Sequence, residues 1–159
     1  MYHIRQLQEN ELPLYKSMRL EALRLESSMF RRPHAEEAAL PDATWLERLT
    51  HPGAVFGLFE NDTIIGITGV RLLDGQVGYL GQSYIRKEYR GRGLSAMLYQ
   101  ARIAWAKKMQ LKQLQVGHRE NNLVSKAAIQ RYGFTYSHRE PSNWPDGSTE
   151  DVLYYVLDL

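Results

Sequence analysis

Hydrophobic positions along the chain follow two rhythms. From Glu11 to Glu26 they recur at Leu12, Leu14, Tyr15, Met18, Leu20, Ala22 and Leu25, roughly the spacing of a helix with one buried face. Asp42 to Thr50 repeats this on a smaller scale, with Trp45, Leu46 and Leu49 together and His51-Pro52-Gly53 as the stop. A longer helix is predicted from Leu94 to about Met109, with Leu94, Met97, Leu98, Ala101, Ala104 and Trp105 as its apolar stripe. A last helix spans Leu123 to Tyr132, with Gly133 placed to cap it.

Strand-like runs lie between and around these helices: Tyr2–Gln6, Ala54–Glu60, Thr63–Leu73, Gln76–Ile85, Gln113–Gly117, Thr135–His138 and Asp151–Leu157. Asn61-Asp62 and Asp74-Gly75 are short turn signals, so three strands read as consecutive antiparallel hairpins. Met29–Leu40 reads as irregular, with Pro33 as a breaker. Glu140–Ser148, holding Pro141, Pro145 and Gly147, reads as a loop. The order β, helices, βββ, α, β, α, ββ predicts a mixed sheet with helices packed on it. No repeat or linker divides the chain, and 159 residues fit one domain, 1–159.

Composition narrows the classes. Apolar residues at 43% and charged residues at 24% are ordinary for a globular protein and exclude disorder. A formal charge of +2 gives no strong pull toward nucleic acid. There is no cysteine, which removes disulfides, thiolate metal sites and a Cys nucleophile, and suits the reducing cytoplasm. Met1-Tyr2-His3-Ile4-Arg5-Gln6 has no apolar core of a secretory signal, and no run approaches the ~18 apolar residues of a membrane span. A cytoplasmic protein with no membrane and no nucleic-acid partner is expected. The five histidines show no ligand spacing, so no metal is expected.

The most informative segment follows the strand that ends at Ile85. Arg86-Lys87-Glu88-Tyr89 leads into Arg90-Gly91-Arg92-Gly93, and a helix begins at once. Two glycines let the backbone turn tightly and come close to a ligand. Successive N–H groups then line one concavity, next to a helix start that lacks internal acceptors and carries partial positive charge. A pyrophosphate suits such a place, and Arg90 and Arg92 could add charge-assisted contacts. The plainer alternative is a strand-to-helix turn with solvated arginines. The segment is not a P-loop, because no Gly-Lys-Ser/Thr follows. The dinucleotide fingerprint is excluded too, because its third glycine and acidic residue are missing.

At these residues the chain resembles the GNAT acetyltransferase family. The family motif Gln/Arg-x-x-Gly-x-Gly/Ala is matched by Arg90, Gly93 and Ser95, with Ser95 departing from the last place. A second family element, an Asn before a helix that ends in Gly-Phe, is matched by Asn122, Ser125 and Gly133-Phe134. The resemblance covers nearly the whole chain. It implies an α/β (α+β) fold with a mixed, mostly antiparallel central sheet of about seven strands and helices on both faces. It also implies an acetyl-CoA-dependent N-acetyltransferase acting on a primary amine of a small molecule or peptide by direct attack on the thioester.

The resemblance assigns positions as well. Backbone groups of Tyr84 and Ile85 would pair with the pantetheine arm like an added strand. Amides from Arg90 through Gly91, Arg92, Gly93 and Leu94 to Ser95 would hold the pyrophosphate. Asn122 would bond the pantetheine, and Ser125 and Lys126 would lie where the helix passes the cofactor. Asn122 could equally be only a helix N-cap.

An amine acceptor with a pKa near ~10.4 must lose a proton to react, and the developing oxyanion needs a donor. Much of the family supplies the acid for the thiolate from a Tyr four residues before the Gly-Phe glycine. Here that position is Ile129, and Tyr132 is rotated by about 300° from it. Ser125, one turn before Ile129, is the better match for that task. His118 or Glu120 could serve as base, or Gln82, Ser83 and Tyr84 could relay a proton through water. The catalytic set expected is therefore Ser125, His118 and Tyr84.

For the acceptor, Met29–Ala39 and Glu140–Ser148 are the segments able to line a pocket. Arg31 or Arg32 could pair with a substrate carboxylate, and Glu36 or Glu37 could attract an amine. Two other functions fit less well: a coenzyme A-binding regulatory module without efficient turnover, and a nucleic-acid protein reading phosphates with Arg86, Lys87, Arg90 and Arg92. A homodimer is compatible with the sequence.

Overall fold

The computed structural model describes residues 1–159. Seven strands and four of five α-helices follow the predicted order, and α2 lies in the segment read as irregular: β1 Tyr2–Gln6, α1 Leu12–Leu25, α2 His34–Ala38, α3 Asp42–Leu49, β2 Ala54–Glu60, β3 Thr63–Leu72, β4 Val77–Ile85, α4 Ser95–Lys108, β5 Gln113–Arg119, α5 Leu123–Arg131, β6 Thr135–Asn143 and β7 Thr149–Asp158. The strands form one sheet ordered β1-β2-β3-β4-β5-β7-β6. Only β4 and β5 run parallel, joined through α4; every other pair is antiparallel.

Strand alternation divides the core into two layers. On one face Tyr15, Met18 and Ala22 of α1 and Trp45 and Leu49 of α3 pack on Val55, Ile67 and Tyr84. On the other, Tyr99 and Ala106 of α4 and Ile129 of α5 pack on Phe56, Leu80, Leu114 and Val116. Helices therefore cover both faces of the sheet. No helix is long and apolar enough to cross a membrane.

Four expectations need correction. Pro33 does not break a helix; it stands at the N-cap of α2, where a fixed φ and a missing N–H cost nothing. The segment expected to be a loop after Glu140 is largely strand, since β6 runs on to Asn143 and β7 begins at Thr149. Pro141 is tolerated because β6 is the edge of the sheet. The buried stripe of α4 is Leu98, Tyr99, Arg102 and Ala106, and Ala104 is exposed. Arg102 is 1% exposed, and burial pushes its guanidinium down to about 10. Its Nε donates to Leu98 O at 3.1 Å, and it lies 4.8 Å over the Tyr99 ring. Finally, His118 lies inside β5, not beyond its end.

Candidate active site

The sheet opens at its one parallel pair. β4 and β5 are joined only from Val77↔Gln113 to Leu80↔Val116. Past that point β4 stays with β3 as far as Ile85, and β5 stays with β7 through Arg119. The facing edges of the two strands are thus left without a strand partner, and a V-shaped cleft starts beside Gly81 and Gly117. A bulge marks the β4 side: Gly69 pairs with Gly81 but Ile67 with Tyr84, so Gln82 and Ser83 stand opposite Thr68. Gln82 takes φ 59, a costly conformation for a residue with a side chain. Side chains hold it there: the Tyr15 hydroxyl donates to Gln82 Oε1 at 2.5 Å, and the Thr68 and Ser83 hydroxyls share a hydrogen bond of 2.8 Å.

β4 then leads into the glycine turn. Gly91 has φ 79 and Gly93 φ 75. A Cβ at either would meet nothing within 4 Å, so the left-handed backbone, not lack of room, selects glycine. The main-chain N–H groups of Gly91, Arg92, Gly93, Leu94 and Ser95 donate to no protein acceptor; the next, Ala96, bonds to Gly93 O at 3.3 Å. α4 has no side-chain cap to take them. Leu94 anchors the turn by packing with Leu58, Ile65 and Leu98. Consecutive free amides at the start of a helix form an anion-binding concavity.

The two arginines of the turn act differently from the main chain. Arg90 donates to Ile85 O at 2.8 Å and to Glu26 Oε1 at 2.7 Å. Arg92 donates to the Tyr2 hydroxyl at 2.6 Å and to Glu88 O at 3.1 Å. Both fix the shape of the turn, and the free donors are backbone.

On the β5 side, Asn122 is the N-cap of α5. Its Oδ1 accepts from Ser125 N at 3.2 Å, and its Nδ2 donates to Met29 Sδ at 3.2 Å. Ser125 and Lys126 are half-buried on the first turn of α5. A groove of about 370 Å³ runs between the starts of α4 and α5, bordered by Ser95, Leu123, Val124, Ala127, Ala128 and Arg131. Ile129 is buried in the core, and Tyr132 stacks on Tyr99 at 4.6 Å. Neither brings a hydroxyl to the cleft.

His118 and Tyr84 are placed less openly than expected of catalytic groups. His118 is 4% exposed. Its Nδ1 is 2.7 Å from Arg119 O and its Nε2 is 3.2 Å from the Tyr155 hydroxyl. Glu120 is held by Arg139 at 2.6 Å. The Tyr84 hydroxyl donates to Glu21 Oε2 at 2.8 Å. Burial and that carboxylate push it up to about 12. Glu21 also binds Arg86 through both oxygens, so the Tyr84 side chain is tied to α1 while its main chain lies on the open edge.

The face opposite the glycine turn holds groups that sequence reasoning passed over. The Tyr79 hydroxyl lies 3.0 Å, and Tyr154 Cδ1 3.1 Å, from where a Cβ at Gly117 would stand. Burial pushes the Tyr79 phenol up. The signal was present: alternation in β4 sets Tyr79 opposite in facing to Leu80, whose side is core. Beside it, Arg119 bonds to Glu150, to Ser148 Oγ at 2.7 Å and to Ser28 O at 2.9 Å, beneath Trp144. This ties the β6–β7 hairpin to the segment after α1. Farther along, Glu37 is fully buried among Arg48 at 2.9 Å, Arg19 at 3.3 Å and Arg32 at 3.3 Å. Burial alone would raise its carboxyl, but the arginines, Arg48 foremost, hold it down at about 2.

Comparison with known proteins places the chain. Residues 19–134 match the model of the acetyltransferase (GNAT) family. No curated protein sequence matches it. Solved structures do. An acetyltransferase of the GNAT family from Streptococcus pneumoniae is 19% identical with a TM-score of 0.86, and 100% of each chain is covered. The ribosomal-protein-alanine N-acetyltransferase from Brucella melitensis is 19% identical with a TM-score of 0.81, covering 99% of each chain. The protein yncA from Salmonella typhimurium, solved with its cofactor acetyl-CoA, is 18% identical with a TM-score of 0.80, covering 99% of this chain and 94% of its own. At such identities the likeness is one of fold.

Proposed function

The chain belongs to the GNAT acetyltransferase family, and from that premise we propose that it transfers an acetyl group from acetyl-CoA to a primary amine of a small molecule or peptide, by direct attack on the thioester. One observation carries the reading: the free amides of Gly91 to Ser95 at the mouth of α4. They suit a pyrophosphate in number, in direction and in the dipole behind them. The open edge of β4 beside Tyr84 and Ile85 suits the pantetheine arm, which presents amides of its own. Arg90 already occupies Ile85 O, so on this strand the neighbouring main-chain groups would serve the arm. Asn122, Ser125 and Lys126, at the start of α5, would border the arm from the other side. Arg90 and Arg92 shape the turn.

Acetyl-CoA supplies the activated carbonyl. The chain supplies the rest. The bulge at Gln82 and Ser83 interrupts the ladder with β3 beside the cleft, and main-chain donors there would meet a developing oxyanion. Ser125, with its hydroxyl in no protein hydrogen bond, is our choice for the group that assists the departing thiolate. We place the incoming amine on the Tyr79 side of the cleft. His118 would remove a proton only if the Tyr155 hydrogen bond opened, and Tyr84 contributes through its main chain. A chain without cysteine suits the cytoplasm, and a homodimer is compatible with this arrangement.

A second reading has its own observation. Ile129, buried at 1% exposure, stands where the family resemblance implies a tyrosine acid in many members, which would suit a coenzyme A-binding module without efficient turnover. Titration calorimetry with acetyl-CoA, followed by coenzyme A release over a panel of amines, separates the two. Binding with release supports the enzyme. Binding without release over the whole panel supports the module. Absence of binding overturns both.

A further inference from the structure

The acceptor side of the cleft carries two arginines that the fold leaves unneutralised. Arg71 stands across from Tyr79 in the β3–β4 pairing, with its guanidinium 5.1 Å from the Tyr79 ring centre. Arg31, on the segment before α2, donates from Nη1 to the Tyr154 hydroxyl at 3.3 Å. The Tyr79 and Tyr154 rings are 6.4 Å apart and meet over Gly117, the first β5 residue past the last β4 pair. One phenol therefore separates each cation from the cleft vertex, Tyr79 for Arg71 and Tyr154 for Arg31, and both cations are exposed.

Neighbouring charges behave otherwise. Glu37 is claimed by Arg48, Glu150 by Arg119, and Asp151 by Arg139. Arg31 and Arg71 take part in no such pair, and each rests instead against a phenol or its ring. For Arg71, a place over an aromatic ring leaves the N–H edge free to receive a two-oxygen anion; Arg31 gives one N–H to Tyr154 and keeps the others.

We propose that Arg31 and Arg71 bind an anionic group of the acceptor, so that the amine acetylated belongs to a molecule that also carries a carboxylate or phosphate. This rests on the acetyltransferase reading above. The acid group would sit at the rim while the amine points to Gly117. The single phenol between each guanidinium and the vertex sets the separation of the acid and the amine. Simple polyamines, which bring positive charge to both arginines, would be poor acceptors.

The test compares acceptors matched in all but the acid. Coenzyme A release is followed with free amino acids, the same amino acids as C-terminal amides, aminoalkyl phosphates and polyamines. Arg31→Ala, Arg71→Ala and the two Lys replacements are assayed beside the wild type, with thermal unfolding to confirm folding. We expect the acid-bearing acceptors to lead. Either Ala variant should lower the kcat/KM ratio of acid-bearing over amidated acceptor by about tenfold or more, the usual scale for losing a hydrogen bond to a charged group. The Lys variants should recover part of it. Preference for free acids over phosphates, or the reverse, identifies the anion. Equal use of acids and amides, or a ratio unmoved by both Ala variants, overturns the inference. Calorimetry with acetyl-CoA keeps the two levels apart. If acetyl-CoA binds and amides serve as well as acids, this inference falls and the enzyme stands; if acetyl-CoA does not bind, both fall.

Discussion

The turn before α4 and the wall built from α1, α2 and the β6–β7 hairpin treat their polar groups in opposite ways. In the turn, side chains are bonded to protein and the backbone is free: Arg90 and Arg92 hold β1, β4 and Glu26, while the amides of Gly91 to Ser95 have no acceptor. In the wall, side chains are knitted to one another, as around Glu37 and Arg119, while Arg31 before α2 and Arg71 on the neighbouring β3 meet phenols and no carboxylate. A ligand common to many proteins can be met by backbone, which every sequence has. A ligand peculiar to one protein must be met by side chains, and those must first be held in place.

The comparison can be broken at its strongest point. Gly93→Trp puts a bulky residue at φ 75, in the space facing the free amides. Acetyl-CoA affinity should fall by about a hundredfold or more in calorimetry, since several charge-assisted hydrogen bonds are lost together. Unfolding should cost only the ~1–2 kcal/mol of a strained left-handed residue. An unchanged affinity would remove the turn from the binding site.

On the wall, Glu37→Gln should lower unfolding stability by about 3 kcal/mol, because Arg19, Arg32 and Arg48 lose their shared carboxylate. The pH dependence has a definite sign. The Glu37 carboxyl lies at about 2 in the fold against an ordinary 4.5, so its stabilisation is complete above about 4.5 and drains away as pH falls toward 2. Urea melts across that range should show the slope in the wild type and a weaker one in Glu37→Gln. Parallel curves would mean the pairing is not what lowers the carboxyl.

Two smaller changes sharpen the junction between the regions. Ser125→Ala should slow kcat by about tenfold, a shift of ~1.4 kcal/mol, with little change in acetyl-CoA affinity; wild-type values for both would dismiss Ser125. Tyr15→Phe removes the bond that holds Gln82 in its bulge. It should cost about 1 kcal/mol of stability and reduce kcat a few-fold, and a variant identical to wild type would show that the bulge holds itself.

The same contrast explains what could be read from sequence. Two glycines after a strand and before an apolar helical run were enough to locate the turn, because left-handed backbone leaves few other choices of residue. The order of strands followed from alternation and turn dipeptides. The extent of β6 did not, since Pro141 is a breaker in a central strand and acceptable at an edge, and edge position is a property of the whole sheet. The face of α4 was misjudged at Arg102, where a charged residue is buried against Tyr99 and no periodicity would assign it inward. Tyr79, Gly117 and Tyr154 lie on three separate strands and meet only through sheet order, so their adjacency was invisible along the chain.

The most direct test of the account is a titration of isotope-labelled protein with coenzyme A, following backbone amide resonances. Gly91, Arg92, Gly93, Leu94 and Ser95 should show the largest shifts and saturate together with binding. Binding that leaves these five resonances in place, while others move, would contradict it.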